Sequence, residues 1–251
     1  TEITARTHLT AYNNLLHKTL IDHPDFPTEG VPLKDGRTFM INKSDKFVRR
    51  IYNDSSFEWN GRFYGGWWQR IDGNFRKSIR INNLATVEID YSSLHVVLAY
   101  TEAGLDYWKK TEKDPYDLPV RGVSNPEHSR DIVKLFFLLS LNASTEQSLF
   151  KAFRYQFSYK EHPYSFPDDV LSELLATIKE HHPDIADLIC SGAGLKLMNI
   201  DSRICEYIIA DFVRTDSPIL TVHDSFIVRC GEEERLEVLM DDAFSHVTSM
   251  Y

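Results

Sequence analysis

The chain has little cysteine, and what it has is not arranged to pair: Cys190, Cys205 and Cys230 are odd in number and show no CxxC spacing. That argues against a disulfide framework and against a cysteine zinc centre, and leaves three core or near-surface thiols. No apolar run approaches the length of a membrane span, and the opening TEITARTHLT lacks the apolar block of a signal peptide. The expectation is a cytosolic chain without a membrane partner. Internal repeats and low-complexity segments are absent as well. With 42% hydrophobic and 26% charged residues among 251, the composition is that of a folded globular protein of one or two domains.

Positive charge is also in short supply. A net charge of −9 counts against nucleic acid as a partner, because phosphate binding relies on Lys and Arg. The distribution is uneven, however. Between Lys43 and Arg80 nine basic residues face four acidic ones, whereas Glu161–Cys190 holds seven acids against one lysine and Gly231–Tyr251 six acids against one arginine. The basic segment, together with Arg130 and Lys134, is expected to line one anion-binding cleft, with the acidic stretches solvated on its outer walls.

Periodicity organises the rest. Residues 5–21 carry Leu9, Tyr12, Leu15, Leu16 and Leu20 at helical spacing. A Pro/Gly-rich connector, DHPDFPTEGVPLKDG, precedes the basic KSDKFVRRIYN. FEWNGRFYGGWWQ reads as a packed β-turn element, its glycines allowing tight backbone and Trp67 and Trp68 packing inward. IRINNLATVEID alternates toward its end, with Val87 and Ile89 on one face and Glu88 and Asp90 on the other, as a strand does. SSLHVVLAYTEAG follows as a helix start with Ser92 as N-cap. HSRDIVKLFFLLSLNASTEQSLFKAFRYQF is the longest helical pattern, and 169–180, 196–213 and EEERLEVLMDDAFSHV add three more. His181-His182 reads as a solvated helix end, and SGAGLK as a loop between helices rather than a phosphate loop. Near the end, ILTVHDSFIVRC reads as two strands joined at His223-Asp224-Ser225. The mixed order of strands and helices predicts an α+β fold with an antiparallel sheet.

Two carboxylates, Asp90 and Asp224, stand where apolar strands end or turn. If those strands are neighbours, the pair repels itself unless a cation lies between, and Mg2+ suits oxygen ligands. Helix and turn chemistry alone also accounts for both, as an N-cap and a turn Asp unrelated in space. Arg130 and Lys134 stand four apart on one helical face that continues through Leu138 and Asn142. Such like charges repel unless an anion, or Glu127 and Asp131 nearby, offsets them.

These residues carry a resemblance. Asp90-Tyr91-Ser92-Ser93-Leu94-His95 resembles motif A of the family A DNA polymerases, Asp-Tyr-Ser-Gln-Ile-Glu, and Val222-His223-Asp224 resembles their motif C. Arg130, Lys134, Leu138 and Asn142-Ala143-Ser144 are similar to motif B of the phage-type single-subunit RNA polymerases. Those enzymes also have a template-contacting Asp-x-Arg-Gly-Arg-x-Tyr element, which Glu58-Trp59-Asn60-Gly61-Arg62-Phe63-Tyr64 resembles, and His223-Asp224-Ser225-Phe226 is closer to their form of motif C. The motifs occur in the family's order.

The resemblance implies a polymerase-like palm, a small antiparallel sheet flanked by helices, with a helical fingers insertion. Residues 1–45 would be a helical N-terminal segment serving as a reduced thumb, 46–100 palm with the template element and motif A, 101–165 a fingers-like helix with motif B, and 166–251 palm with the motif C hairpin and a C-terminal helix. It implies template-directed nucleotide addition from nucleoside triphosphates to a nucleic-acid strand, using two Mg2+ ions or Mn2+ in their place. Asp90, Asp224 and the Tyr91 carbonyl would hold the metals, and Arg130 and Lys134 the triphosphate, with Lys134 protonating the departing pyrophosphate. Arg62 and Tyr64 would contact the template, and His223 the primer or product end. Departures touch sugar choice: His95 stands for a glutamate and Asn142 for a tyrosine, so ribonucleotides are expected to be accepted. Ala143 replaces a glycine and Asn60 the first template arginine. Two other readings stay open: a degenerate palm that binds nucleic acid or a protein, and a metal-dependent phosphohydrolase using His223-Asp224.

Overall fold

A computed structural model describes residues 2–25, 30–32, 37–157 and 164–250. Residues 26–29 and 33–36 of the Pro/Gly connector, and 161–163 at the start of the acidic stretch, lie outside the described residues. The chain divides into two compact units, Thr1–Ser92 with Met198–Tyr251, and Ser93–Leu197. The fold is mixed α+β, with a small antiparallel sheet and flanking helices.

The first unit opens with α1 (Glu2–Lys18), whose acidic first turn and basic last turn suit the helix dipole. The periodicity predicts a helix to residue 21, but α1 ends at Lys18. Ile21 is instead buried in strand β1 (Ile21–Asp22), paired with Ile81, and Leu20 is left exposed. Two ribbons follow, β2 (Val31–Pro32) with β3 (Thr38–Phe39), and β4 (Val48–Tyr52) with β5 (Asn60–Gly65). Asn13 ties α1 to β4 by giving a hydrogen bond to the Val48 carbonyl and taking one from its N–H, both 2.8 Å. Trp67 and Trp68 are fully buried in a short 3-10 turn, as expected, and the Trp68 indole donates to the Thr221 carbonyl. A one-turn helix α2 (Gly73–Arg76) comes next, its N-cap Asp72 accepting from the Asn74 N–H.

The expected single strand over 79–90 is a hairpin. Asn82 and Asn83 both take positive φ, 50° and 66°, the geometry of a type I′ turn, and they separate β6 (Arg80–Ile81) from β7 (Leu84–Asp90). Among the described residues the main sheet runs β1-β6-β7-β9-β8, antiparallel throughout, where β8 is Leu220–Val222 and β9 Ser225–Arg229. Helix α9 (Glu233–Thr248) is the predicted acidic helix, and the Tyr91 hydroxyl donates to its Met240 carbonyl.

The second unit holds α3 (Leu94–Glu102), α4 (Tyr107–Lys110), α5 (Pro126–Asn142), α6 (Glu146–Phe157) and α7 (Asp168–His181). Ser93, not Ser92, is the N-cap of α3, and it does the work by backbone, with φ 55° and no side-chain cap. The long helical pattern is broken at 143–145. Ala143 is extended, and Thr145 and Ser148 each take the other's backbone N–H, a reciprocal cap that starts α6 afresh. The loop through SGAGLK ends where α8 (Gly194–Arg214) begins; from Met198 onward α8 belongs to the first unit.

His182 is not solvated. It is fully buried, donating from Nε2 to the Pro115 carbonyl (3.0 Å) and accepting at Nδ1 from the Tyr100 hydroxyl (3.1 Å). The carbonyl can only accept, which fixes the neutral tautomer. Burial pushes the His182 pKa below 6.5, the Pro115 bond opposing and the nearby His181 and Lys110 assisting. The unfolded chain therefore takes up this proton first as pH falls, so the stability His182 contributes is complete above 6.5 and is lost below it. Urea midpoints followed downward through that pH should fall in the wild-type chain and fall less in His182→Gln.

Candidate active site

The pairing of β7 with β9 brings Asp90 and Asp224 together. Asp90, the last residue of β7, lies directly opposite Ser225, and the Tyr91 N–H donates to the Asp224 carbonyl at 3.3 Å. Asp224 is the second residue of the two-residue β8–β9 turn, whose first residue, His223, carries the positive φ of 59°. Tight hairpin turns require such a conformation, and histidine enters it more readily than most residues. Both carboxylates border one cleft of about 810 Å³.

Two further charged residues of that cleft, Glu88 and Arg76, were not picked out from the sequence. Period two puts Glu88 on the face of Asp90. Arg76 donates from Nε and Nη2 to the two Glu88 oxygens, at 2.9 and 2.8 Å, and the Ser225 hydroxyl donates to Glu88 at 2.7 Å. Glu88 is thus ion-paired and tied to the residue next to Asp224. The Asp224 carboxylate, by contrast, has no hydrogen bond or ion pair among the described residues. The polar alternation of VEID was the available signal for Glu88; Arg76 was marked only as one of the nine basic residues between Lys43 and Arg80.

His223 packs edge-on to Tyr64, with ring centroids 5.5 Å apart. Burial, and then the Arg62 charge, hold its pKa below 6.5, while Asp201 and Asp224 pull the other way. Its Nδ1 is buried and, among the described residues, has no hydrogen-bond partner. Arg62, on β5 with Tyr64, gives its guanidinium to Asp201 of α8 at 2.6 Å. Burial opposes the Arg62 charge, but Asp201, with a smaller contribution from Asp224, holds its pKa above the ordinary value. Asp201 is 2% exposed and was missed, because a lone acid in a helical pattern has no local mark of its partner.

The basic segment does not line one cleft. Arg50 pairs with Glu206, Arg62 with Asp201, Arg76 with Glu88, and Lys43 with Asp22, while Lys46 donates to the carbonyls of His17 and Thr19. Most of this charge holds the fold together, and only Arg76 and Lys77 border the cleft of the two aspartates.

The other sequence-predicted residues belong to the second unit. Arg130 and Lys134 lie on the solvent side of α5, opposite the buried Val133, Phe136 and Phe137. Arg130 is neutralised by Asp114 at 2.6 Å, rather than by Glu127 or Asp131. Both cations approach the Tyr116 ring, at 5.7 and 6.0 Å from its centroid. Asn142 donates back to the Leu138 carbonyl at 2.8 Å, and its amide fills the space a Cβ would need at Gly194. His95 is buried in the first turn of α3.

No family model matches the chain, and no curated protein matches it.

Among the described residues, no set of three or more His, Cys, Asp or Glu side chains is arranged to hold a metal ion. Asp90 and Asp224 offer two carboxylates at a sheet end, all oxygen donors. That donor set fits Mg2+, which binds through one or two carboxylates and completes its octahedron with water and substrate phosphate. Among the same residues, no helix is long and apolar enough to cross a membrane.

The buried Arg62–Asp201 pair gives a direct test of the site's support. Asp201→Ala removes the carboxylate paired with a guanidinium that is 14% exposed, and should cost about 3–5 kcal/mol in urea unfolding. Adding Arg62→Met to it should recover much of that loss, since the buried charge is then gone.

Proposed function

We propose that the chain is a template-directed nucleotidyltransferase of polymerase type. The observation that carries this reading is the β7–β9 register. Two acids 134 positions apart in the chain become near neighbours at one end of a sheet, beside an open cleft. In this reading the β6-β7-β9-β8 sheet is a palm.

Asp90 and Asp224, with the Tyr91 carbonyl, would hold Mg2+. Bound there, the metal supplies charge neutralisation for phosphoryl transfer, which is catalysed largely by positioning and electrostatics. Asp224 is suited to this because its carboxylate makes no hydrogen bond or ion pair among the described residues. Arg76 keeps Glu88 from adding a third negative charge. Lys134, exposed on α5, would bind the triphosphate and pass a proton to the pyrophosphate oxygen. Arg130 would join it by exchanging Asp114 for phosphate, a substitution favoured by its half-exposed position. Neutral His223 can accept or donate a hydrogen bond at the strand end without adding charge. Nucleic acid and nucleoside triphosphates are the implied partners.

The test is incorporation of labelled triphosphates on a primed template in the presence of Mg2+. Asp90→Ala and Asp224→Ala should each lower the rate by at least about 10²–10³, with unchanged thermal unfolding. Wild-type turnover in either variant would overturn the reading. Release of inorganic phosphate in place of pyrophosphate would favour a phosphohydrolase instead.

Sugar choice follows from position 95. A site that can hydrogen-bond a hydroxyl penalises the substrate that lacks it. ATP should be incorporated at least as well as dATP, and His95→Glu should move the ratio toward dATP. A strong dATP preference unaffected by the substitution would place sugar selection elsewhere.

A further inference from the structure

Four acids and two cations border the cleft of the candidate site: Asp72, Glu88, Asp90 and Asp224 against Arg76 and Lys77. Two of the acids are committed within the fold. Asp72 caps α2 by accepting from the Asn74 N–H, and Glu88 takes Arg76 on both oxygens and the Ser225 hydroxyl on one. The cations differ as well. Lys77 is exposed and gives its ammonium to the Asn74 side-chain oxygen at 3.1 Å, whereas Arg76 is 16% exposed and meets a carboxylate that is 22% exposed.

The Arg76 guanidinium is anchored apart from its bond to Glu88. Asp72 starts a single helical turn, and at its end Arg76 Nη1 donates back to the Ile71 carbonyl at 2.8 Å. Ile71 is buried, so this bond fixes the guanidinium while Nε and Nη2 reach the face of β7 that carries Glu88 and Asp90. Residues two apart on a strand are roughly 7 Å apart on one face, which leaves a cation bound at Asp90 within reach of the Glu88 side chain. Held by Arg76, however, Glu88 forms no metal-holding set with the two aspartates among the described residues.

Three hydrogen bonds occupy most of the roughly four lone-pair sites of that carboxylate, and a guanidinium on both oxygens also neutralises its charge. We propose that Arg76 is a resident counter-ion that withholds Glu88 from the metal, so that the cleft loads a divalent ion through Asp90 and Asp224 alone. This rests on the polymerase reading only in placing the ion at those two aspartates. Two carboxylates hold such an ion loosely and leave its remaining positions to water and substrate phosphate, whereas a third would tighten it in the absence of substrate.

The experiment is a titration of the full chain with Mn2+, the free ion being read by electron paramagnetic resonance, without triphosphate or nucleic acid. Arg76→Met should bind Mn2+ at least about tenfold more tightly than the unmodified chain, since the charge count of the ligands tunes affinity at oxygen sites. Adding Glu88→Gln to Arg76→Met should return the affinity to that of the unmodified chain, and adding Asp224→Asn should also remove the gain. Lys77→Met takes a cation from the same cleft but uncovers no carboxylate, and at physiological salt should change the affinity by less than about twofold. A purely structural Arg76 would weaken Mn2+ binding when removed, so the direction of the change separates the two roles. Should Arg76→Met fold poorly, Arg76→Lys keeps a charge but not the fork and should show a smaller gain, with Mn2+ raising its melting temperature more than that of the unmodified chain. Unchanged or weaker binding in both Arg76 variants, a gain that survives Glu88→Gln or Asp224→Asn, or an equal gain in Lys77→Met would overturn the proposal. Incorporation of labelled triphosphate is measured separately. A Glu88-dependent gain without incorporation sinks only the polymerase, and incorporation with no gain in the Arg76 variants sinks only the counter-ion.

Discussion

The constraint on which the candidate site depends is the register between β7 and β9. Val87 faces Val228, Ile89 faces Phe226 and Asp90 faces Ser225, so the pairing that closes the core also sets where the acids end up. Side chains alternate along a strand, and a slip of one residue would carry every apolar group of β7 to the polar side. The burial of Phe226 and Val228 therefore holds Asp90 and Asp224 in place more firmly than any contact of the acids themselves. A functional geometry is here a by-product of hydrophobic alignment.

Helix α8 is the second organising element. Its Ile200, Ile204, Ile208 and Phe212 are buried at intervals of four, while Asn199, Asp201, Ser202 and Glu206 reach the β4–β5 ribbon. Asn199 and Ser202 both donate to the Asn60 carbonyl, and Arg50 spans from the Gly61 carbonyl to Glu206. Gly61 allows this close approach: its φ is 94°, and a Cβ there would lie 2.7 Å from Tyr52 and 2.8 Å from Ser202. A segment that looks basic in isolation is therefore close to neutral where it packs. Buried charges must be paired, and Asp201 and Glu206 of α8 each offset one arginine of the ribbon.

Charge in the cleft is arranged by the same rule. Arg76 holds both oxygens of Glu88, and Ser225 adds a third hydrogen bond to that carboxylate. This ties α2, β7 and β9 together at the base of the hairpin tip. The carboxylate of Asp224 stays outside the network, one residue beyond the last anchored one.

Much of this was legible in the sequence. The alternation of TVEID, the apolar runs either side of His223-Asp224, the helical spacing in 196–213 and the acidic last helix all express local periodicity, which survives translation into structure because strand and helix each bury one face. Local chemistry also misled where tertiary partners compete. The pattern through Leu20 looked helical until Ile81 claimed Ile21, and His182 looked solvated until Tyr100 and Pro115 enclosed it. The sequence by itself determined the element types, the two acids and the stripe of Arg130, Lys134, Leu138 and Asn142. Only the tertiary structure decided which cations are spent on Asp201, Glu206, Glu88 and Asp114 and which, like Arg49, pair with no described residue. Pairing between charges depends on distance in space, and residues as far apart as 62 and 201 carry no sign of it along the chain.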